Sequence, residues 1–221
     1  MLMRRTRGFT LIELLVVMTI IGIIAMFAVP SFSVWWANNR IRTVAESLQN
    51  DLRQAQAKAV QKNRRVAFVL TDSTPDSTQV TAATSAHNWS IRSLPLTDSS
   101  EGSVTSSGTT TYLLGNAQDS DTTVEADVSA VCFNTVGRLT SSSSISDAGN
   151  VSCSVPSSTS PYYFRIQNDT GDRPLWVQVY WGGKVRMCDP NQSLDDDQPA
   201  ACCDDYCCAD TTGISGNYCI D

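Results

Sequence analysis

The sequence predicts an α+β fold in which one long N-terminal helix packs on a small, mostly antiparallel β-sheet. Three observations predict it. An apolar run from Phe9 to Val29 passes into a stretch whose apolar residues recur every three or four positions. After about residue 64 the period changes to two, and clusters of Ser, Thr, Gly, Pro and Asp then separate short β-branched and aromatic runs. With 221 residues, 42% of them hydrophobic, the chain can bury a sizeable core, which excludes a disordered protein.

Residues 1–8 are a short basic stretch containing Arg4, Arg5 and Arg7. Residues 9–29 are apolar apart from Thr10, Glu13 and Thr19, and at about 1.5 Å each they span roughly 30 Å, the thickness of a bilayer's hydrocarbon core. This half of the helix is expected to serve in membrane crossing and assembly. An ordinary secretory signal or simple anchor would not explain a carboxylate at Glu13. Nor does a small-residue cleavage site follow, since Phe27 to Trp36 offers bulky residues and Pro30. Gly22 and Pro30 are expected to interrupt the helix and curve it.

Residues 30–63 form the amphipathic half. Ile41, Val44, Ala45, Leu48, Leu52, Ala55 and Ala59 mark a face expected to lie on a sheet. The opposite face is basic, with Arg40, Arg42, Arg53, Lys58, Lys62, Arg64 and Arg65 against Glu46 and Asp51, and is read as a solvated helix side.

Residues 64–188 make the β-domain. RVAFVL, WSIRSL, TYLL, TTVEADVSAVCF, YYFRIQ and PLWVQVYW are the expected strands, and Gly182-Gly183 suggests a tight hairpin. The Ser/Thr-rich stretches 71–88, 97–110 and 140–160 read as long surface loops with room for edge strands. Residues 189–221 are an acidic, Cys-rich extension with eight aspartates and no Lys or Arg.

Eight cysteines fit an oxidising compartment, so the part beyond the helix is read as exported. The disulfide candidates are Cys132, Cys153, Cys188, Cys202, Cys203, Cys207, Cys208 and Cys219. Cys132 is expected to pair with Cys153. The doublets Cys202-Cys203 and Cys207-Cys208 do not fit structural zinc motifs, which usually space paired ligands by two to four residues, and because adjacent cysteines rarely bridge each other they are expected to pair outward, to Cys188, Cys219 or the other doublet. The sole histidine, His87, is read as a solvated loop residue, which argues against a His-centred triad or a multi-histidine zinc site.

Gly8 followed by Phe-Thr-Leu-Ile-Glu resembles the processing motif of type IV prepilins and type II secretion pseudopilins. The resemblance implies cleavage after Gly8 by a prepilin peptidase, an N-methylated Phe9 at the new terminus, and retention of the apolar helix. It also implies that Glu13 pairs with the terminal amine of a neighbouring subunit. That pairing would answer why an acid enters hydrocarbon, where an ionised carboxylate costs a few kcal/mol and normally finds a partner. CFNTVGRL (132–139) and GGKVRMC (182–188), together with the helix-to-sheet order, resemble the GspH/FimT branch of this pilin-like family.

What the resemblance implies is a minor pilin of a type IV pilus, acting with other major and minor pilins at an initiating tip complex. It would reside in the bacterial inner membrane through a single pass, with a periplasmic domain, and later in the filament on the cell surface. The alternatives are an H-type pseudopilin of type II secretion and a DNA-binding minor pilin for DNA uptake. The DNA reading rests on Lys184 and Arg186, which alternation along a strand would turn to one face for phosphate contact. The adjoining aspartates oppose it, and an ordinary edge strand is favoured.

DPNQSLDDD places Asp189, Asn191, Ser193, Asp195 and Asp197 at the alternate spacing of a calcium loop, but Leu194 and Ala200 stand where an EF-hand requires Gly and Glu. No cofactor is expected, with calcium only conceivable. No nucleophile elbow, phosphate-binding glycine loop or acid pair at a recognisable spacing is present, so no enzyme is expected.

Overall fold

The computed structural model describes residues 9–72, 81–94, 111–117, 120–145, 151–157 and 160–191, with the side chains at 27–31, 143–145 and 151 excepted. A single helix, α1 (Leu11–Lys62), runs for 52 residues, about 78 Å. Thr10 caps its start, and its end is closed by Asn63 in the left-handed region (φ 50°), whose N–H reaches the carbonyls of Ala59 and Val60. Gly22 and Pro30 lie inside this helix and do not end it, although proline withdraws one N–H from the ladder.

Eleven strands follow among the described residues: β1 (Val66–Thr71), β2 (Ser85–Ala86), β3 (Asn88–Ser93), β4 (Thr111–Asn116), β5 (Thr122–Ala126), β6 (Ala130–Phe133), β7 (Ser142–Ile145), β8 (Val151–Cys153), β9 (Tyr162–Asn168), β10 (Leu175–Val179) and β11 (Val185–Cys188). They pair antiparallel throughout. They form not one sheet but a first sheet ordered β4-β3-β1-β6, a second ordered β11-β10-β9-β5-β2, and the pair β7-β8.

The amphipathic stripe of α1 lies where its spacing places it. Ile41, Val44, Ala45, Leu48, Leu52, Ala55 and Ala59 are all 0–3% exposed. They share one core with Phe68, Leu70, Trp89 and Ile91 of the first sheet and Phe164, Ile166, Val177 and Val179 of the second. Each fully buried Leu, Ile or Phe contributes about 1.5–3 kcal/mol, so this stripe is what fixes helix to sheets. Phe68 meets Phe164 edge-on at 5.8 Å and joins the two sheets beneath the helix.

A smaller core forms on the other face of the first sheet from Ala67, Val69, Leu94, Ala130, Cys132 and Cys153. The Cys132–Cys153 disulfide crosses it, tying β6 to β8 as the sequence leads one to expect. Arg92, 2% exposed, projects to this same face, and burial pushes its pKa down.

One reading needs correction. TTVEADVSAVCF is not one strand: Asp127 accepts from the Tyr163 N–H and pairs with Arg165 at 2.9 Å, so the run breaks there and sends β5 and β6 to different sheets. Stretches 71–88 and 140–160 hold the short strands β2, β7 and β8 and the isolated Thr71–Ala82 bridge. Stretch 97–110 lies outside the described residues.

Candidate functional site

The N-terminal end of α1 is the first candidate. Thr10 has extended backbone angles, and its hydroxyl accepts from the Glu13 N–H at 3.3 Å while its carbonyl accepts from Leu14. Glu13 therefore sits in the first helical turn, where the unsatisfied N–H groups favour a negative charge. Its side chain is exposed, as is Phe9 (81%). Gly8, the expected cut site, lies outside the described residues.

From Leu11 to Met26 every large apolar side chain is exposed, from 47% at Val16 and Val17 to 83% at Leu11. A helix apolar on all sides requires an apolar partner on all sides, and among the described residues none covers this stretch. Among the described residues no helix is long and apolar enough to cross a membrane. The fully described apolar stretch is Leu11–Met26, roughly 24 Å at about 1.5 Å per residue. The expected span draws its remaining length from residues 27–29, whose side chains are not among those described.

The second candidate is the place where CFNTVGRL meets GGKVRMC. Asn134 accepts from the N–H groups of Val136 and Arg138, folding the segment into a turn that Gly137 completes at φ 79°. Gly183 completes the β10–β11 hairpin at φ 88°, and a Cβ there would collide with the Gly137 carbonyl oxygen. Gln56 of α1 donates to that same oxygen at 2.7 Å, Leu139 donates to the Trp181 carbonyl, and the Arg138 guanidinium lies 4.8 Å from the Trp181 ring centroid. The two motifs thus form a joint between a turn of the first sheet, a hairpin of the second, and the helix.

The hairpin sets the surroundings of the expected phosphate site. β11 begins at Val185, and Lys184 lies just before it, its carbonyl accepting from the Tyr180 N–H at 2.9 Å. Its ammonium sits 5.8 Å from the Tyr180 ring centroid, and Arg186 faces Gln178 across the ladder. The Tyr180 hydroxyl donates to Gln178 Oε1 at 2.9 Å, so the two basic residues stand beside a hydrogen-bonded pair at the end of β10.

Among the described residues no group of three or more acidic, His or Cys side chains is placed to hold a metal ion. Asp189 and Asn191 stand in a local turn in which Asp189 accepts from the Asn191 N–H at 2.9 Å. Ser193, Asp195 and Asp197 lie outside the described residues, as do Cys202, Cys203, Cys207, Cys208 and Cys219. His87 is in a surface turn, as expected, with one ring nitrogen 3.3 Å from Asp72 Oδ1 and the other 3.1 Å from the Ser120 carbonyl.

Sequence reasoning missed the polar side chains that dock α1. Asp51, read as part of a solvated face, accepts from the buried Trp89 indole at 2.7 Å, and burial raises its pKa above the ordinary 3.8 while that bond lowers it. Arg53 donates to the Val185 carbonyl. Asn38 accepts from the N–H groups of Asp172 and Arg173 and donates to the Asp172 carboxylate. None of these has a periodic signal. The only cue was that Asp51 and Gln56 neighbour the apolar stripe.

Comparison with known proteins gives two family matches. Residues 3–29 match the prokaryotic N-terminal methylation motif, and residues 44–183, more than half of the chain, match type II transport protein GspH. A curated relative, a fimbrial protein of Pseudomonas aeruginosa, is 31% identical over 106 residues, covering 46% of this chain. The chain spans 66% of that relative's length, just under two-thirds. Among solved structures, the type IV minor pilin FimU of Pseudomonas aeruginosa is 15% identical, with a TM-score of 0.44 over 71% of this chain and 96% of that one. The minor pseudopilin EpsH of the type 2 secretion system of Vibrio cholerae is 10% identical, with a TM-score of 0.44 over 69% and 99%.

Proposed function

We infer that this chain, which belongs to the type II transport protein GspH family, is a minor pilin that prepilin peptidase processes and that takes part in type IV pilus assembly at the initiating tip. One observation carries the reading: α1 presents a fully apolar, uncovered stem whose first turn bears an exposed carboxylate. An element of that kind is built to be covered by something other than its own domain, first by lipid and then by the stems of other subunits.

In this reading the peptidase removes residues 1–8, Phe9 becomes the methylated terminus, and its amine is the counter-ion for Glu13 of an adjoining subunit. The single membrane pass covers residues 9–29, and the β-domain stands in the periplasm until the subunit enters the filament. The chemistry is association, and no catalytic residue is assigned. A fimbrial relative supports the pilus, and the family's description as a type II transport protein supports the second reading, an H-type pseudopilin in a short periplasmic filament.

Mass analysis of the native protein tests processing, with a chain beginning at Phe9 and one added methyl group as the expected result. Glu13→Ala should reduce recovery in sheared filaments at least tenfold while the β-domain's melting point stays unchanged. Retention of residues 1–8, or full incorporation of the variant, would end the reading. A deletion strain separates the two systems. Loss of surface pili and twitching supports the pilus, and periplasmic retention of secreted enzymes with intact motility supports the pseudopilin.

A further inference from the structure

Between the uncovered stem and the docked half of α1 stand Phe32, Trp35 and Trp36, exposed by 60%, 56% and 61%. Phe32 and Trp35 pack together, with ring centroids 5.4 Å apart. At about 100° per residue the three fall within one sector of about 100°, whose centre lies roughly 170° around the helix from that of the docking stripe between Ala37 and Ala59. The β-domain holds the opposite side of the helix and leaves this aromatic face bare.

Along that face the chemistry changes abruptly. Toward the N-terminus it continues into Leu14, Ile21 and Ala25 of the exposed apolar stem, and toward the C-terminus the next residues on it are Asn39, Arg42, Thr43 and Glu46, all exposed. Arg42 and Glu46 pair at 2.9 Å, as on a solvent-facing helix. From Ala25 to Asn39, about four turns, apolar, aromatic and polar surface succeed one another. Tryptophan suits the level at which hydrocarbon gives way to water, because its ring is apolar while its indole N–H is a donor. The position along the axis agrees. Counted from Phe9 at about 1.5 Å per residue, Trp35 and Trp36 lie roughly 40 Å along the helix, against about 40–45 Å for a bilayer with both headgroup layers. Helical side chains lean toward the N-terminus, which carries both indoles back toward the stem. Asn38, two residues further, already docks to Asp172 and Arg173.

We propose that Phe32, Trp35 and Trp36 are an aromatic anchor seated among the phospholipid headgroups of the periplasmic leaflet, an inference that rests on the membrane pass proposed above. The rings lie against the upper acyl chains and the indole N–H groups donate to lipid phosphate or ester oxygens, which fixes the depth at which the stem rests. Because the trio points away from the β-domain, it engages lipid without displacing any contact that docks the helix. The domain, attached from Ala37 onward, is thereby held directly above the bilayer surface.

Depth-dependent fluorescence quenching tests the anchor on the full chain, reconstituted at low density in phosphatidylethanolamine and phosphatidylglycerol vesicles that carry a nitroxide either on the headgroup or at mid-chain. The double variant Trp35→Phe/Trp36→Phe, which alters only exposed rings, separates these indoles from Trp89, Trp176 and Trp181. Headgroup nitroxide is expected to quench at least twofold more strongly than mid-chain nitroxide, and the lipid-quenched emission to fall at least threefold in the double variant. Equal or stronger quenching from mid-chain, or lipid quenching unchanged in the double variant, would overturn the anchor. So would an absence of lipid quenching in a chain that stays with the vesicles through an alkaline carbonate wash, whether the indoles are then reached by aqueous iodide or shielded by the stem of a second copy. A chain that the wash strips from the vesicles would overturn the membrane pass itself, and the anchor with it.

Discussion

From Leu11 to Met26, α1 leaves every large apolar side chain at least 47% exposed, whereas from Ala37 to Ala59 the apolar residues facing the sheets are at most 6% exposed. Helical geometry is common to both halves, and their sequence pattern is not. The upper half carries a stripe bordered by polar docking groups, Asn38, Asp51, Arg53 and Gln56, each satisfied by the β-domain. The lower half is apolar all round and has one charge, Glu13. A stripe specifies one neighbour in one orientation, and an unbroken apolar cylinder specifies only a surrounding. The helix therefore joins a folded domain to an uncovered apolar stem without a residue that ends it.

The contrast can be broken most sharply in the upper half. Leu48→Ala removes a fully buried side chain from the stripe and should cost about 2–5 kcal/mol, read by denaturant unfolding of the full chain in detergent. A cost below about 1 kcal/mol would mean that the stripe does not hold the domain. Gly183→Ala forces a left-handed backbone onto Ala and drives its Cβ into the Gly137 carbonyl, for an expected loss of about 1–3 kcal/mol in the same measurement.

Asp51→Asn sharpens the comparison through pH. Burial holds the folded-state pKa of Asp51 above 3.8, so the native state binds the proton more tightly than the unfolded state. The group therefore favours folding at low pH, and that contribution is lost as pH rises from 3.8 through the raised folded value. Asparagine can still accept from the Trp89 indole without a charge. The variant should gain stability at neutral pH, by less than either core change loses, and should show a flatter stability profile across that window. An equal or lower neutral-pH stability would refute the burial account. The smallest effect belongs to the lower half: Leu15→Ala should move domain stability by no more than about 0.5 kcal/mol, because Leu15 is 56% exposed on the stem. A Leu15→Ala cost comparable to that of Leu48→Ala would erase the distinction.

The parts of the fold that were legible are those written in a period. Ile41 to Ala59 announce a helix face by spacing alone, and RVAFVL, WSIRSL and YYFRIQ announce strands by alternation, because each pattern follows from local geometry. What alternation does not encode is which neighbour a strand takes. TTVEADVSAVCF reads as one run, yet the Asp127 carboxylate, bound to the Tyr163 N–H and to Arg165, belongs to a contact 36 residues away in sequence. The same holds for the Gln56–Gly137–Gly183 joint, where two glycine-bearing motifs could be seen but not that they touch. At the stem the reverse is true. Phe9, Thr10 and Glu13 were legible because the motif is contiguous, and the structure adds the hydrogen bonds that start the helix there.

Those hydrogen bonds bear on how the leader can be lost. The acceptors for Glu13 and Leu14 both come from Thr10, downstream of Gly8, so these two bonds of the first turn need nothing from residues 1–8. In the processing proposed above, excising the octapeptide would leave both amides their acceptor. The nitrogen liberated at Phe9 would then stand one residue before a cap that the mature segment supplies for itself.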